Sequence, residues 1–96
     1  MKIEFTKTNG DLTVLLDGRL DTTTAPELES FLAENYDGNG KLTLDLEKLA
    51  YVSSAGLRVL LGAQKKAKNA MKLIHVCDLI MEIFEMTGFT DILVIE

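Results

Sequence analysis

Residues 41–46, KLTLDL, place a leucine at every second position, and stretches with helical spacing lie on both sides of them. Successive side chains of a strand point to opposite faces, so this alternation marks a strand with one face turned inward. Helix-length segments between strands require crossover connections, and crossovers join parallel neighbours. A chain that repeats this arrangement is confined to the α/β class with a largely parallel sheet.

The rest of the sequence fits that frame. Residues 2–8 (KIEFTKT) and 12–17 (LTVLLD) alternate, with Ile3 and Phe5 on one face of the first and Leu12, Val14 and Leu16 on one face of the second. Asn9-Gly10 between them suits the positive φ angles of a two-residue hairpin turn. Thr24-Ala25-Pro26-Glu27 has the T-x-x-E form of a capping box, and Leu28, Phe31 and Leu32 follow at helical spacing until Gly38-Asn39-Gly40. Leu57, Leu60, Leu61, Ala63 and Ala67 predict a second helix running to about Asn69. MKLIHV (71–76) reads as a strand that contains His75. Asp78 is expected to cap a third helix whose apolar residues are Leu79, Ile80, Ile83 and Phe84, closed by Gly88 in the left-handed region. ILVI (92–95) is expected as a last buried strand. The predicted order is a hairpin followed by α-β-α-β-α-β, with the first strand antiparallel at an edge. At 96 residues the chain has room for one core, so residues 1–96 are read as one domain.

Charge and composition narrow the function. A net charge of −5 disfavours nucleic acid or anionic lipid as the main partner, since neutralising phosphates requires a basic face. Lys65, Lys66 and Lys68 cluster near a predicted helix end, where cations complement the dipole. The single cysteine, Cys77, excludes an intrachain disulfide. The N-terminal stretch lacks the basic-then-apolar form of a signal peptide, and no apolar run approaches the ~20 residues that span a bilayer. A soluble cytoplasmic protein is expected.

Enzyme chemistry finds few tools here. A nucleophilic serine needs a base within reach, and the one histidine sits in a predicted strand. No nucleotide-cradling G-x-x-x-x-G-K-[ST] occurs, and no G-x-G-x-x-G opens a helix. One histidine, one cysteine and scattered carboxylates form no spaced metal-binding set. No catalytic residue, metal or cofactor is assigned.

The stretch YVSSAGLRVL (51–60) sets two hydroxyls and two tiny residues where a strand-like segment gives way to a helix. The first N–H groups of a helix lack intrahelical partners and carry partial positive charge. A serine there can cap the helix. The same geometry favours a phosphate on its Oγ. The residues alone leave both roles open.

LTLDLEKLAYVSSAGLRVLL resembles the core of STAS domains, above all the bacterial anti-sigma factor antagonists, in which a strand ending in Asp-Leu leads to a D-S-[ST]-G-L helix start. GRLDTTTAPEL is similar to the family's G-x-[LI]-D-x-x-x-[AS]-x-x-[LF] segment, and MTGFTDIL to its closing turn. The resemblance spans essentially the whole chain. It implies a single STAS-type domain: a mixed, mostly parallel sheet with an N-terminal hairpin and about three main helices. It also implies a partner switch. The antagonist binds an anti-sigma factor, often a serine kinase with a GHKL-type ATP fold, and so frees a sigma factor. Phosphorylation of the motif hydroxyl breaks the complex, and a PP2C-type phosphatase restores it.

Carried over by position, Ser54 falls on the motif's first hydroxyl and is the expected phosphoacceptor, with Ser53 as second candidate. Ser53 replaces the motif's aspartate, and Ala55 stands where a second hydroxyl would be. Gly56 matches the motif glycine, whose small size serves close packing or access. Asp21 occupies the family's acidic position before the first helix, where docking and turn-forming roles both remain open. Asp45 reads as a turn-stabilising carboxylate. Met81, Glu82 and Glu85 are expected on the outer side of the third helix, with an exposed Met81 suited to a protein contact. The partner-binding set is thus Asp21, Ser53, Ser54, Gly56 and Met81. The alternative function is a non-phosphorylated STAS module that senses a small ligand or scaffolds other proteins, including transport-associated ones.

Overall fold

The structure, a computed structural model, describes residues 1–68 and 70–96. Strand β1 (Lys2–Thr8) and β2 (Asp11–Leu20) form the N-terminal hairpin. Asn9 and Gly10 have φ of 52° and 89°, as a primed two-residue turn requires, because its twist matches that of the flanking strands. Helix α1 (Ala25–Asn35), β3 (Leu42–Asp45), β4 (Leu49–Val52), α2 (Ser54–Ala67), β5 (Met71–Ile74) and α3 (Asp78–Thr87) follow. A 3₁₀ turn at Phe89–Asp91 comes after α3.

The sheet runs β1-β2-β3-β5. β1 lies antiparallel at one edge, and the β2–β3 and β3–β5 pairs are parallel. β4 pairs in parallel with the far end of β2, beyond where β3 stops. The register sorts side chains into faces. Phe5, Val14, Leu44 and Leu73 form one cross-sheet row, and Glu4, Leu15, Asp45 and Ile74 form the next. Leu12, Val14, Leu16, Leu42, Leu44, Met71 and Leu73 are all buried, while Thr13, Leu15, Thr43, Asp45, Lys72 and Ile74 are not. Leu28 and Leu32 of α1, Leu57, Leu60, Ala63 and Ala67 of α2, and Ile80 and Phe84 of α3 join the same core. The sheet is therefore apolar on one side and largely polar on the other, as its alternation dictates.

Several expectations change. β4 is an additional strand, absent from the predicted order. Its four residues are too few for a clear period, and it pairs only with the last three residues of β2, across a register shift at Gly18/Arg19. The capping box at Thr24 is not formed. Thr24 already has helical backbone (φ −101°, ψ −20°), and its Oγ1 accepts from Asp21 N at 2.8 Å and donates to the Arg19 carbonyl at 2.6 Å. Pro26 still sits in the first turn, where its missing N–H is not needed.

ILVI is not a strand. The 3₁₀ turn carries helical backbone as far as Ile92, only Leu93 is buried, and Ile92 and Val94 are exposed. What remains is a single parallel bridge, Leu73 to Ile95, with Leu73 N donating to the Val94 carbonyl at 2.8 Å. Asp78 is the first residue of α3 rather than its cap, which is Cys77, although its charge still suits the helix start. Leu79 is 52% exposed, because the inward stripe of α3 runs through Ile80 and Phe84, four residues apart. Gly88 closes α3 with φ of 79°, as predicted. Helix α2 closes at Ala67, with Lys68 as its C-cap; the expected end near Asn69 lies outside the described residues.

Candidate partner-switch site

β2 and β4 end side by side, and their ends build the platform on which α2 begins. Leu20 pairs with Val52, and Ser53 N donates to the Leu20 carbonyl at 2.9 Å. The Arg19 guanidinium lies 4.5 Å from the centroid of the Tyr51 ring, a cation–π contact that ties the same two strand ends together. Sequence reading did not single out this pair. Nothing in the local pattern signals it, since it exists only through the β2–β4 pairing.

The two serines have different places. Ser53 has extended backbone (φ −96°, ψ 176°), and its Oγ accepts from Gly56 N at 3.3 Å, the bond of an N-cap. Ser and Asp are comparably good caps, so serine does here the structural work available to the aspartate of the D-S-[ST]-G pattern. Ser54 is the first helical residue and is exposed, with no side-chain hydrogen bond among the described residues. Its hydroxyl therefore stands free at the positive end of a helix of 14 residues.

Gly56 is buried beneath this turn. A Cβ built on it would lie 2.7 Å from Leu20 Cγ, 2.8 Å from the Leu20 carbonyl oxygen and 3.0 Å from Val52 Cγ2. Close packing of the helix start on the ends of β2 and β4 requires the missing side chain.

Asp21 organises the loop between β2 and α1. Its Oδ1 accepts from Thr23 Oγ1 at 2.8 Å, Thr23 N at 3.0 Å and Thr24 N at 3.2 Å. Its carbonyl accepts from Ala25 N at 2.7 Å. These bonds make it a turn-forming residue whose carboxylate takes the Thr24 amide that Glu27 would accept in a capping box, while Glu27 N donates to the Thr24 carbonyl at 3.0 Å. The Thr23 hydroxyl, ahead of the Thr24 and Thr23 amides, holds its pKa below the usual aspartate value. Since the folded-state pKa is depressed, its contribution to stability is complete above the unfolded aspartate pKa of about 3.9 and is lost as pH falls through the lowered value.

The loop and the start of α2 face one another. Thr22, Pro26 and Glu29 line one wall of a shallow cleft of about 250 Å³, and Ala55, Arg58 and Val59 line the other. Asp21 follows Leu20 and Ser53 follows its register partner Val52, so Asp21, Ser53, Ser54 and Gly56 belong to one end of the molecule. Met81 stands on α3, which packs against β4. It is half-buried, and the exposed methionine of that helix is Met86, at 86%. Glu82 and Glu85 are exposed, as predicted.

His75 is not inside a strand. It follows β5 with φ of 56°, exposed, and its Nδ1 lies 3.0 Å from Asp45 Oδ1 and 3.7 Å from Glu47 Oε1. Asp45 also accepts from Glu47 N at 3.1 Å, the turn role expected of it. Among the described residues no helix is long and apolar enough to cross a membrane.

With this geometry in place, comparisons with known proteins identify the fold and family. A family model described as "Mlab, STAS domain" matches residues 3–95. BtrV of Bordetella bronchiseptica, whose assignment as an anti-sigma factor antagonist is provisional, is 38% identical over 96 residues, covering 96% of this chain and 83% of BtrV. The anti-sigma-B factor antagonist of Staphylococcus aureus is 33% identical over 97 residues, covering 97% of this chain and 90% of that protein. The Bacillus cell fate determinant SpoIIAA, solved in its phosphorylated form, has the same fold with a TM-score of 0.71 at 13% identity, covering 99% of this chain and 91% of that one. The chain belongs to the STAS-domain family, among the anti-sigma factor antagonists.

Proposed function

We propose that this protein is a cytoplasmic anti-sigma factor antagonist whose single domain, residues 1–96, binds an anti-sigma factor with serine kinase activity. Phosphorylation at Ser54 ends that binding, a PP2C-type phosphatase reverses the modification, and sigma-factor-dependent transcription follows the phosphorylation state. The protein acts by binding rather than catalysis. The observation that carries this reading is the division of labour between adjacent serines: Ser53 is committed to the helix cap, and Ser54 is exposed and unbonded. The phosphorylated form of SpoIIAA supports the same reading from a protein of the same fold.

The docking surface comprises Ser53, Ser54 and the Asp21 loop across the cleft, with Gly56 acting from beneath by fixing their spacing. Asp21→Asn separates docking from folding. Asparagine retains an Oδ1 that accepts the same amide bonds but removes the charge. The variant should stay folded and melt only modestly below the parent at neutral pH, through loss of the charge that the Thr23 and Thr24 bonds stabilise, while its affinity for the anti-sigma factor, measured by isothermal titration, should fall several-fold. Unchanged affinity would leave Asp21 as a turn former only, and absence of binding by the parent would overturn the functional reading itself.

A further inference from the structure

We propose that Asp45, Glu47 and His75 form a binding site for one divalent first-row transition ion such as Zn²⁺. Asp45 ends β3, Glu47 lies in the following turn, and His75 follows β5. Asp45 and Ile74 are register partners, so the sheet itself brings residues 30 positions apart to adjoining strand ends. One donor atom from each of the three lies within 4.8 Å of the others.

The spacing from His75 is close to what an ion requires, with Glu47 needing to move inward by a few tenths of an ångström. Metal–nitrogen and metal–oxygen bonds of about 2.0–2.2 Å put neighbouring donors about 3.0 Å apart at right angles and about 3.4 Å apart in a tetrahedron. The two separations from His75 Nδ1 are 3.0 Å and 3.7 Å. An imidazole with two carboxylates suits zinc and its neighbours, whereas an all-oxygen set would suit calcium or magnesium.

Charge points the same way. Among the described residues, neither Asp45 nor Glu47 has a lysine or arginine ion-pair partner. Two carboxylates face one imidazole, so the group keeps net negative charge whichever way the histidine is protonated. The donors are also positioned before any ion arrives: Asp45 is half-buried and held by the Glu47 amide, and the left-handed backbone of His75 turns its ring onto the turn. An ion bound there would tie the β3–β4 turn to the end of β5, with its remaining positions open to water. The site lies at the carboxyl ends of the parallel neighbours β3 and β5. It uses none of the residues of the Ser54 surface, so it stands or falls apart from the partner switch.

An exposed thiol is a zinc ligand in its own right and Cys77 is exposed, so the test is made in a Cys77→Ser background. Isothermal titration with Zn²⁺ should show one ion per chain. His75→Gly, which suits the positive φ, and Glu47→Gln, in an exposed turn, should each weaken binding by about tenfold or more. Circular dichroism checks that both variants remain folded. No saturable binding in the Cys77→Ser protein, or unchanged affinity in folded His75→Gly and Glu47→Gln proteins, would overturn the proposal and leave the three side chains as an ion-pair cluster.

Discussion

Ser54→Glu should bind the anti-sigma partner far more weakly than Ser54→Ala, while both variants melt near the parent protein. Ser54 is exposed and makes no side-chain hydrogen bond among the described residues, so alanine removes little from the fold. A negative charge at the first position of α2 meets the positive end of the helix, an interaction worth about 0.3–1 kcal/mol at an exposed site. Arg58, one turn further along α2 and lining the same cleft as Ala55, adds a cation within the i, i+4 spacing that helices bring together. The host domain therefore tolerates the charge. A partner fitted to a small hydroxyl must instead accommodate a phosphate of roughly −1.5 to −2 charge. Desolvation and repulsion then oppose the complex by on the order of several kcal/mol unless the partner supplies cations. The comparison is made by titration calorimetry and thermal melts on both variants, with the phosphorylated protein as the stronger sample because glutamate carries less charge. A large drop in the Ser54→Glu melting temperature, or affinities equal to Ser54→Ala, would sink this account of the switch.

Gly56→Val should cost the fold far more than any change at Ser54. The first added carbon already meets the Leu20 carbonyl oxygen at 2.8 Å, and backbone at the end of a paired strand cannot move aside cheaply. Valine adds two methyl groups next to Val52 Cγ2, which stands 3.0 Å from the Cβ position. Overpacking of this kind costs about 1–3 kcal/mol, more than the few tenths that valine gains over glycine in helix propensity. In a domain of this size each kcal/mol moves the midpoint by about 4–8 °C, so a fall on the order of 10 °C is expected in a thermal melt. Partner affinity should fall too, because the helix start and the β2 end must separate to admit the side chain. A midpoint within about 2 °C of the parent, a shift worth well under 1 kcal/mol, would show that the turn adjusts and that the close approach is not needed.

What the sequence revealed and what it hid follow from the range of the interactions. Alternation in KLTLDL and LTVLLD and the Asn9-Gly10 turn are local and appear in the structure as read, and so does the apolar face of α2 except at Leu61, which stays outside the buried core. The features that escaped depend on pairing across the chain. β4 is visible only through its partner β2, and the Arg19–Tyr51 stack only through that pairing. The cap of α1 misled because T-x-x-E is a local pattern overridden by a stronger local rival: Asp21, three residues earlier, takes the amides, and the Arg19 carbonyl takes the Thr24 hydroxyl. MKLIHV reads as a strand through His75 because it stays apolar on both sides of that residue, whereas the sheet pairing stops at Ile74. With β5 ending there, the only histidine of the chain comes to rest against Asp45 and Glu47, a juxtaposition that D-x-E alone does not announce. At the start of α2 the sequence offered two adjacent serines, and only the backbone angles and the bond from Gly56 N distinguished the capping serine from the free one.

That distinction is tested most directly by mapping the phosphate. The parent, Ser53→Ala and Ser54→Ala proteins are incubated with the cognate anti-sigma kinase and ATP, and the product is located by fragmentation mass spectrometry. The parent should gain one phosphate, on Ser54. Ser53→Ala should still be modified, although loss of its cap lowers stability by about 1 kcal/mol, and Ser54→Ala should remain unmodified. Phosphate on Ser53 of the parent, or modification that survives Ser54→Ala and vanishes in Ser53→Ala, would contradict the assignment of Ser53 to the fold and Ser54 to the switch.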